Sequence, residues 1–199
     1  MKRVLTLICL LAFAGSAFAQ FSLGFNQVEI PTYVSVSGGM LYTEDMNMLR
    51  IGSMFSPQFR VEGYIGYMKE TFELDPQPAT PVEYEGSGMA FGAGGYYVIE
   101  APANTSFSFG ARFLYGTSTW EAGTDETETT AWSLDPLMRI DFAIPGAERL
   151  AFFTEYGFRY ANATSTFTDA GVQDPTDYKW SGFETYAPSN ILAGAYYVF

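Results

Sequence analysis

The chain closes on Ile191-Leu-Ala-Gly-Ala-Tyr-Tyr-Val-Phe199. Ile191, Ala193, Ala195, Tyr197 and Phe199 fall on one face of an extended chain, and Leu192, Gly194, Tyr196 and Val198 on the other. A period of two sustained over this length is a strand signal. The strand runs to the terminal carboxylate and ends on an aromatic ring. Soluble domains tend to fray at their ends and to carry polar residues there.

Working back from this strand, alternating runs punctuated by turn residues predict eight strands. They cover Thr32–Thr43, Asn47–Phe55, Gln58–Phe72, Glu83–Ile99, Thr105–Glu121, Thr129–Ile144, Leu150–Phe167 and Gly182–Phe199, with Pro188 interrupting the last. The connections at Ser56-Pro57, Glu100–Asn104 and Pro145–Arg149 are short. Those at Glu73–Val82, Ala122–Glu128 and Thr168–Ser181 are longer and rich in Asp, Glu, Thr and Pro. The first, Glu44–Met46, breaks this alternation by being short. An even strand count with turns short at one end and long at the other predicts an all-β fold: an eight-stranded antiparallel up-and-down transmembrane β-barrel, its termini on the short-turn side.

The other end of the chain begins Met1-Lys2-Arg3, continues apolar from Val4 to Ala14 and reaches Ala17-Phe-Ala19. A charged start, a short apolar run and small residues before a cut predict a cleaved signal peptide over 1–19 and a barrel domain over 20–199. The apolar run is about half the roughly 20 residues that a membrane-spanning helix needs. Cys9 falls in the removed segment, leaving no thiol for disulfides or covalent chemistry. The formal charge of −12 becomes −14 when Lys2 and Arg3 leave, which argues against nucleic acid as a partner. Histidine is absent, and with it the commonest general base and metal ligand, so neither an enzyme nor a cofactor or metal is expected.

Aromatics make up 18% of the chain. On the fifth strand Phe107, Phe109, Ala111, Phe113 and Tyr115 oppose Ser108, Gly110, Arg112 and Gly116. On the sixth, Trp132, Leu134, Met138, Ile140, Phe142 and Ile144 oppose Asp135, Arg139 and Asp141. On the seventh, Phe152, Thr154, Tyr156, Phe158 and Tyr160 oppose Phe153, Glu155, Gly157 and Arg159. Such broad aromatic faces suit lipid, and the small and charged faces suit a narrow lumen. A charge facing lipid near the midplane costs about 2–4 kcal/mol. Mid-strand charges are therefore expected inside: Arg50, Arg60, Glu62, Arg112, Arg139, Asp141, Glu155 and Arg159. An eight-stranded interior is just wide enough for side chains to fill. The expected role of these charges is a structural filling of ion pairs, with a gated ion path as the alternative. Trp120, Trp132 and Trp180, with Tyr42, Tyr67, Phe72 and Tyr178, are expected as an outer aromatic girdle, and Phe55, Tyr97, Phe107, Phe142, Phe152 and Phe199 as the opposite one. Acidic residues such as Glu85, Glu121, Asp125, Glu126 and Glu128 collect at the long-loop end, where they are read as solvated.

The terminal strand, with aromatics at Tyr197 and Phe199, resembles the sorting signal of bacterial outer-membrane barrels. In architecture the chain resembles the small eight-stranded outer-membrane proteins, the opacity-like and OmpA-barrel-like porin family. The resemblance implies integral outer-membrane localisation and insertion by the barrel assembly machinery. Outer-membrane lipid and lipopolysaccharide are implied as surroundings. The role it implies is structural, or surface contact with an extracellular ligand through the external loops. A monomer is expected, with no periplasmic anchoring domain after the last strand. The alternative function is a narrow pore, or a conduit for small hydrophobic molecules leaving sideways through the wall.

Overall fold

The computed structural model describes residues 21–34, 41–74, 82–101, 104–174, 176–185 and 192–199. The signal-peptide segment and Pro188 lie outside these residues. The strands are β1 (Phe21–Val34), β2 (Leu41–Ser56), β3 (Phe59–Leu74), β4 (Val82–Ala101), β5 (Thr105–Ala122), β6 (Asp125–Ile144), β7 (Ala147–Asp169), β8 (Val172–Gln173), β9 (Tyr178–Thr185) and β10 (Leu192–Val198). All paired neighbours are antiparallel, and the sheet closes on itself. β8, β9 and β10 follow one another along the same edge of β7, so the ring has eight wall positions.

Closure joins the first strand to the last, from Ser22↔Val198 to Asn26↔Gly194. The Phe199 N–H then donates to the Phe21 carbonyl at 2.8 Å. Two irregularities mark this seam. Thr185 pairs with Phe158 and Leu192 with Glu155, so six residues separate the paired positions on one strand and two on the other. Among the described residues, no ladder joins β1 beyond Asn26 to β9.

Side chains follow the pleat. On β5 the odd residues Phe107, Phe109 and Phe113 face outward, while Ser108, Arg112 and Leu114 are buried. The same inversion holds around the wall: Phe25, Ile51, Ile65, Phe91, Leu134, Phe158 and Phe183 are exposed, whereas Arg50, Glu62, Arg139 and Glu155 are buried. Large apolar side chains gain about 1.5–3 kcal/mol each on leaving water. A continuous outward belt of them is stable only against hydrocarbon. The wall is thus that of a membrane-spanning barrel, with a polar interior.

Four expectations about strand ends change. The first strand starts at Phe21, not Thr32, and Glu44–Met46 lies within β2. Ser22, Gly24 and Asn26 occupy the inward positions of β1, and Gly and Asn are weak strand formers, which masks the alternation of Phe21, Leu23 and Phe25. The stretch Ala122–Glu128 is hairpin, reduced to the two-residue turn Gly123-Thr124 with Gly123 at φ +67°. β7 likewise continues to Asp169 and reverses through Ala170 and Gly171, both at positive φ, as a type I′ hairpin requires. Above the membrane both faces of these strands meet water, so the period-two signal fades while the β-branched threonines keep the ladder. A crossing strand needs roughly 9–11 residues. β5, β6 and β7 have 18, 20 and 23, so the hairpins rise well beyond the apolar belt.

The lumen charge network as candidate functional site

All eight charges expected in the lumen are buried on its inner face, and the structure brings them together with a ninth, Asp135. Near the short-turn end, Glu62 meets three guanidiniums: Arg50 at 3.2 Å, Arg60 at 3.2 Å and Arg139 at 2.9 Å. Arg139 also donates through Nε to Asp141 at 2.8 Å, and Arg60 Nη2 donates to Asp141 at 3.1 Å and to Ser108 Oγ at 2.7 Å. Toward the hairpin end, Arg112 donates to Glu155 at 2.8 Å and to Asp135 at 3.2 Å. Arg159 grips both oxygens of Asp135 at 3.0 Å. The Arg139–Glu155 approach of 3.9 Å links the two halves. Such planar forks on carboxylates are the geometry for which arginine is suited.

Aromatic side chains share the layer. The Arg139 and Arg50 guanidiniums lie 3.9 and 4.4 Å from the centre of the Phe153 ring, and Arg50 lies 4.6 Å from that of Tyr196. The Tyr64 hydroxyl donates to Glu62, and the Tyr64 and Tyr96 hydroxyls are 2.7 Å apart. Glycines admit these groups. A β-carbon on Gly194 would strike the Phe153 ring, and one on Gly94 would meet the Tyr96 hydroxyl oxygen at 2.7 Å.

On the hairpin side of the charges lies an apolar layer of Met46, Met48, Met68, Ala90 and Leu114, with Trp120 packed against it. Trp180 and Tyr178 pack inward on Ala131 and Ala163. The expected outer girdle is therefore corrected. Trp120, Trp180 and Tyr178 fill the lumen, while Trp132 and Tyr67 face outward, and the side chains of Tyr42 and Phe72 lie outside the described residues. Gly86, directly opposite Trp120, explains the turn inward, since a β-carbon there would meet the indole at 2.5 Å. At the short-turn end the interior opens as a hollow of about 410 Å³, lined by residues that include Glu100, Ser106, Asp141 and Tyr196.

Alternation had placed Asp135 on the polar face yet left it out of the lumen set, although its spacing from Arg139 and Asp141 is even throughout. Tyr64, Tyr96 and the three methionines also lie on the inner face, where a rule that sends every aromatic and apolar residue to lipid does not place them. The signal that finds Tyr64 and the methionines is parity with Glu62 and Arg50 on the same strands. Ser108 and Ser133 lie buried on the inner face, Ser108 within the Arg60–Asp141 contacts. Tyr197 and Phe199 point outward, their rings 5.2 Å apart. Among the described residues, no three carboxylates converge into a cage for a metal ion.

No model of a known protein family matches the sequence, and no curated protein sequence matches it. Solved structures do. A major outer membrane protein from Thermus thermophilus aligns at 14% identity with a TM-score of 0.50, over 91% of this chain and 99% of that one. The fold is that of a small outer-membrane β-barrel. Neisserial surface protein A aligns at 15% identity and TM-score 0.47 over 92% of this chain and 98% of that one. Ail, the attachment invasion locus protein of Yersinia pestis, gives 14%, 0.42, 91% and 97% in the same order. In this barrel the inner face carries the charges, the outer face the apolar belt, and the hairpins the acids.

Proposed function

We propose that the protein is a monomeric, non-enzymatic component of the bacterial outer membrane, exported by its N-terminal signal and inserted by the barrel assembly machinery. Its charged lumen is structural, and its long acidic hairpins meet partners outside the cell. The observation that carries this reading is the filled cross-section. Arg50, Arg112, Arg139, Arg159, Tyr96, Met46, Met48, Leu114, Glu62 and Glu155 are the largest fully buried side chains, and all face inward. Buried charges paired in this way have no solvent file through which ions could move. The lipopolysaccharide leaflet surrounds the hairpins, and the external ligand is a surface that tolerates their negative charge. The test is conductance of the purified protein in planar bilayers, together with heat-modifiable gel migration and membrane fractionation. Steady single-channel steps would overturn the structural reading of the lumen.

A second reading has one observation in its favour. Among the described residues, no strand pairing joins β1 beyond Asn26 to β9. A small hydrophobic molecule entering from the hairpin end has a sideways path to lipid there. Uptake of an apolar dye by proteoliposomes, compared with protein-free vesicles, separates the two readings.

A further inference from the structure

The β2–β3 ladder stops at Met48↔Gly66, although β2 begins at Leu41 and β3 continues to Leu74. The outer half of β2 stays with β1, through Asn47↔Gln27 to Leu41↔Val34. This outer hairpin leaves the wall. In the wall, β7 and β10 separate β6 from β1, a gap of roughly 14 Å at the usual strand spacing. Yet β1 comes within 8 Å of β6 between α-carbons. Ser22–Asn26 are held in the wall by ladders on both sides, so the part that tips inward is the outer half. Met46, 1% exposed, packs over Gly66, where a β-carbon would meet its sulfur at 2.6 Å. The hairpin thus leans over the lumen mouth, and β3 continues outward without it.

One edge of β3 is left open. Residues 67–74 keep unbroken register with β4, from Tyr67↔Met89 to Leu74↔Val82. Among the described residues, nothing pairs with their other edge. Every second residue turns its N–H and C=O to that side, which makes it a template for a further strand. The charge around it selects the strand. Glu70, Glu73, Glu83 and Glu85 are exposed, and none meets a cation of the described residues at ion-pair distance. Glu73 stands directly across from Glu83, a like-charge pairing that destabilises the ladder while both are bare. Lys69 is the one base from Tyr67 to Leu74. A second copy of this chain would bring the same acids to the edge and be repelled, whereas lysines or arginines would be held. The free side of β9 suits a partner less, since its Lys179 already lies 3.9 Å from Asp177 and its Phe183 belongs to the belt.

We propose that the outer edge of β3, residues 67–74, takes an extended cationic segment of an extracellular protein as an added strand. The proposal rests on the reading that the hairpins meet partners outside the cell, and it gives that contact a place and a chemistry. Ladder hydrogen bonds supply affinity without regard to sequence, and side chains at alternate positions supply selectivity. Basic residues at every second position of the added strand share the outward face with Glu73, Glu83 and Glu85, and they relieve the repulsion between Glu73 and Glu83.

The test uses the whole folded barrel in detergent and, as probe, a synthetic peptide of about eight residues alternating lysine and threonine. Saturable binding is expected by isothermal titration. At about ten times the dissociation constant, hydrogen exchange of alternate amides between residues 67 and 74 should slow roughly tenfold. A peptide of the same charge with adjacent prolines at its centre should bind at least about fivefold more weakly, because it cannot complete the ladder. Glu73→Lys combined with Glu83→Lys, both at exposed positions, should abolish binding and leave heat-modifiable gel migration unchanged. Absence of binding, or equal binding of the proline peptide, would overturn the proposal. Protection confined to residues 121–128 would also overturn it, while leaving the hairpins as the surface that meets partners.

Discussion

Replacing Glu62 by glutamine removes one charge and almost no volume, at the point where three guanidiniums meet. Asp141 would remain as a carboxylate partner for Arg60 and Arg139. Stripping one partner from a buried ion pair costs about 3–5 kcal/mol. Glutamine's amide would also turn donor hydrogens toward guanidinium donors. Glu155→Gln offers the internal comparison. Glu155 Oε2 accepts from Arg112 at 2.8 Å, its Oε1 makes no hydrogen bond, and Arg112 keeps Asp135. Its loss should be about 1.5–3 kcal/mol, the range for one hydrogen bond to a charged group. Urea unfolding in lipid vesicles, followed by tryptophan fluorescence and cold gel migration, reads both. With a slope of roughly 1–3 kcal/mol per molar, Glu62→Gln should lower the midpoint by roughly 1–5 M. Adding Arg50→Met should restore part of the loss, because one of the stranded cations goes with it. A Glu62→Gln barrel within about 1 kcal/mol of wild type, or one more stable than Glu155→Gln, would refute the idea that Glu62 is the electrostatic centre of the lumen.

Gly194→Ala should destabilise by about 1–3 kcal/mol in the same assay, as overpacking does, since its β-carbon lands on the Phe153 ring and the Phe25 carbonyl. Gly63→Ala should be nearly silent, because the nearest atom lies 4.0 Å away. The Thr176 N–H and the Tyr178 hydroxyl hold the Asp174 carboxyl below its usual range. A depressed carboxyl stabilises its turn above the unfolded pKa of about 3.9 and loses that contribution as pH falls through the lower folded value. The Thr176 amide resonance should therefore titrate with a midpoint under about 3.9, and Asp174→Asn should abolish the titration. Phe199→Ala should slow insertion by the assembly machinery in cells while leaving spontaneous folding into detergent within about twofold. Equal losses in both settings would count against a sorting role for a side chain that faces outward.

The wall was legible because lipid and lumen impose opposite chemistry on alternate residues. Phe152 and Phe153 look identical by composition, yet the parity of Glu155 and Arg159 settles which one enters the barrel. Parity works only where both environments exist. Beyond the belt it gives way, which is why the Ala122–Glu128 hairpin read as a loop. Trp120 and Trp180 misled for a different reason. Tryptophan favours the membrane interface, but Trp120 shares the inward parity of Arg112 and Leu114 on its own strand, and Gly86 and Gly182 leave room for the two indoles. The pairing within the network lay beyond sequence too. Arg112 meets Glu155 across 43 positions, a match set by ring curvature and register.

The network draws its charges from β2, β3, β5, β6 and β7, while the ring is sealed by β1 against β10. Arg112 on β5 reaches Glu155 on β7, and Arg139 on β6 reaches Glu62 on β3, so no two neighbouring strands complete the pairing by themselves. A partly rolled sheet would carry exposed guanidiniums and carboxylates toward the bilayer, each costly there. The barrel is thus penalised for being nearly finished. Its interior acts as an all-or-none lock, closed only when the final residues of the chain meet the first strand.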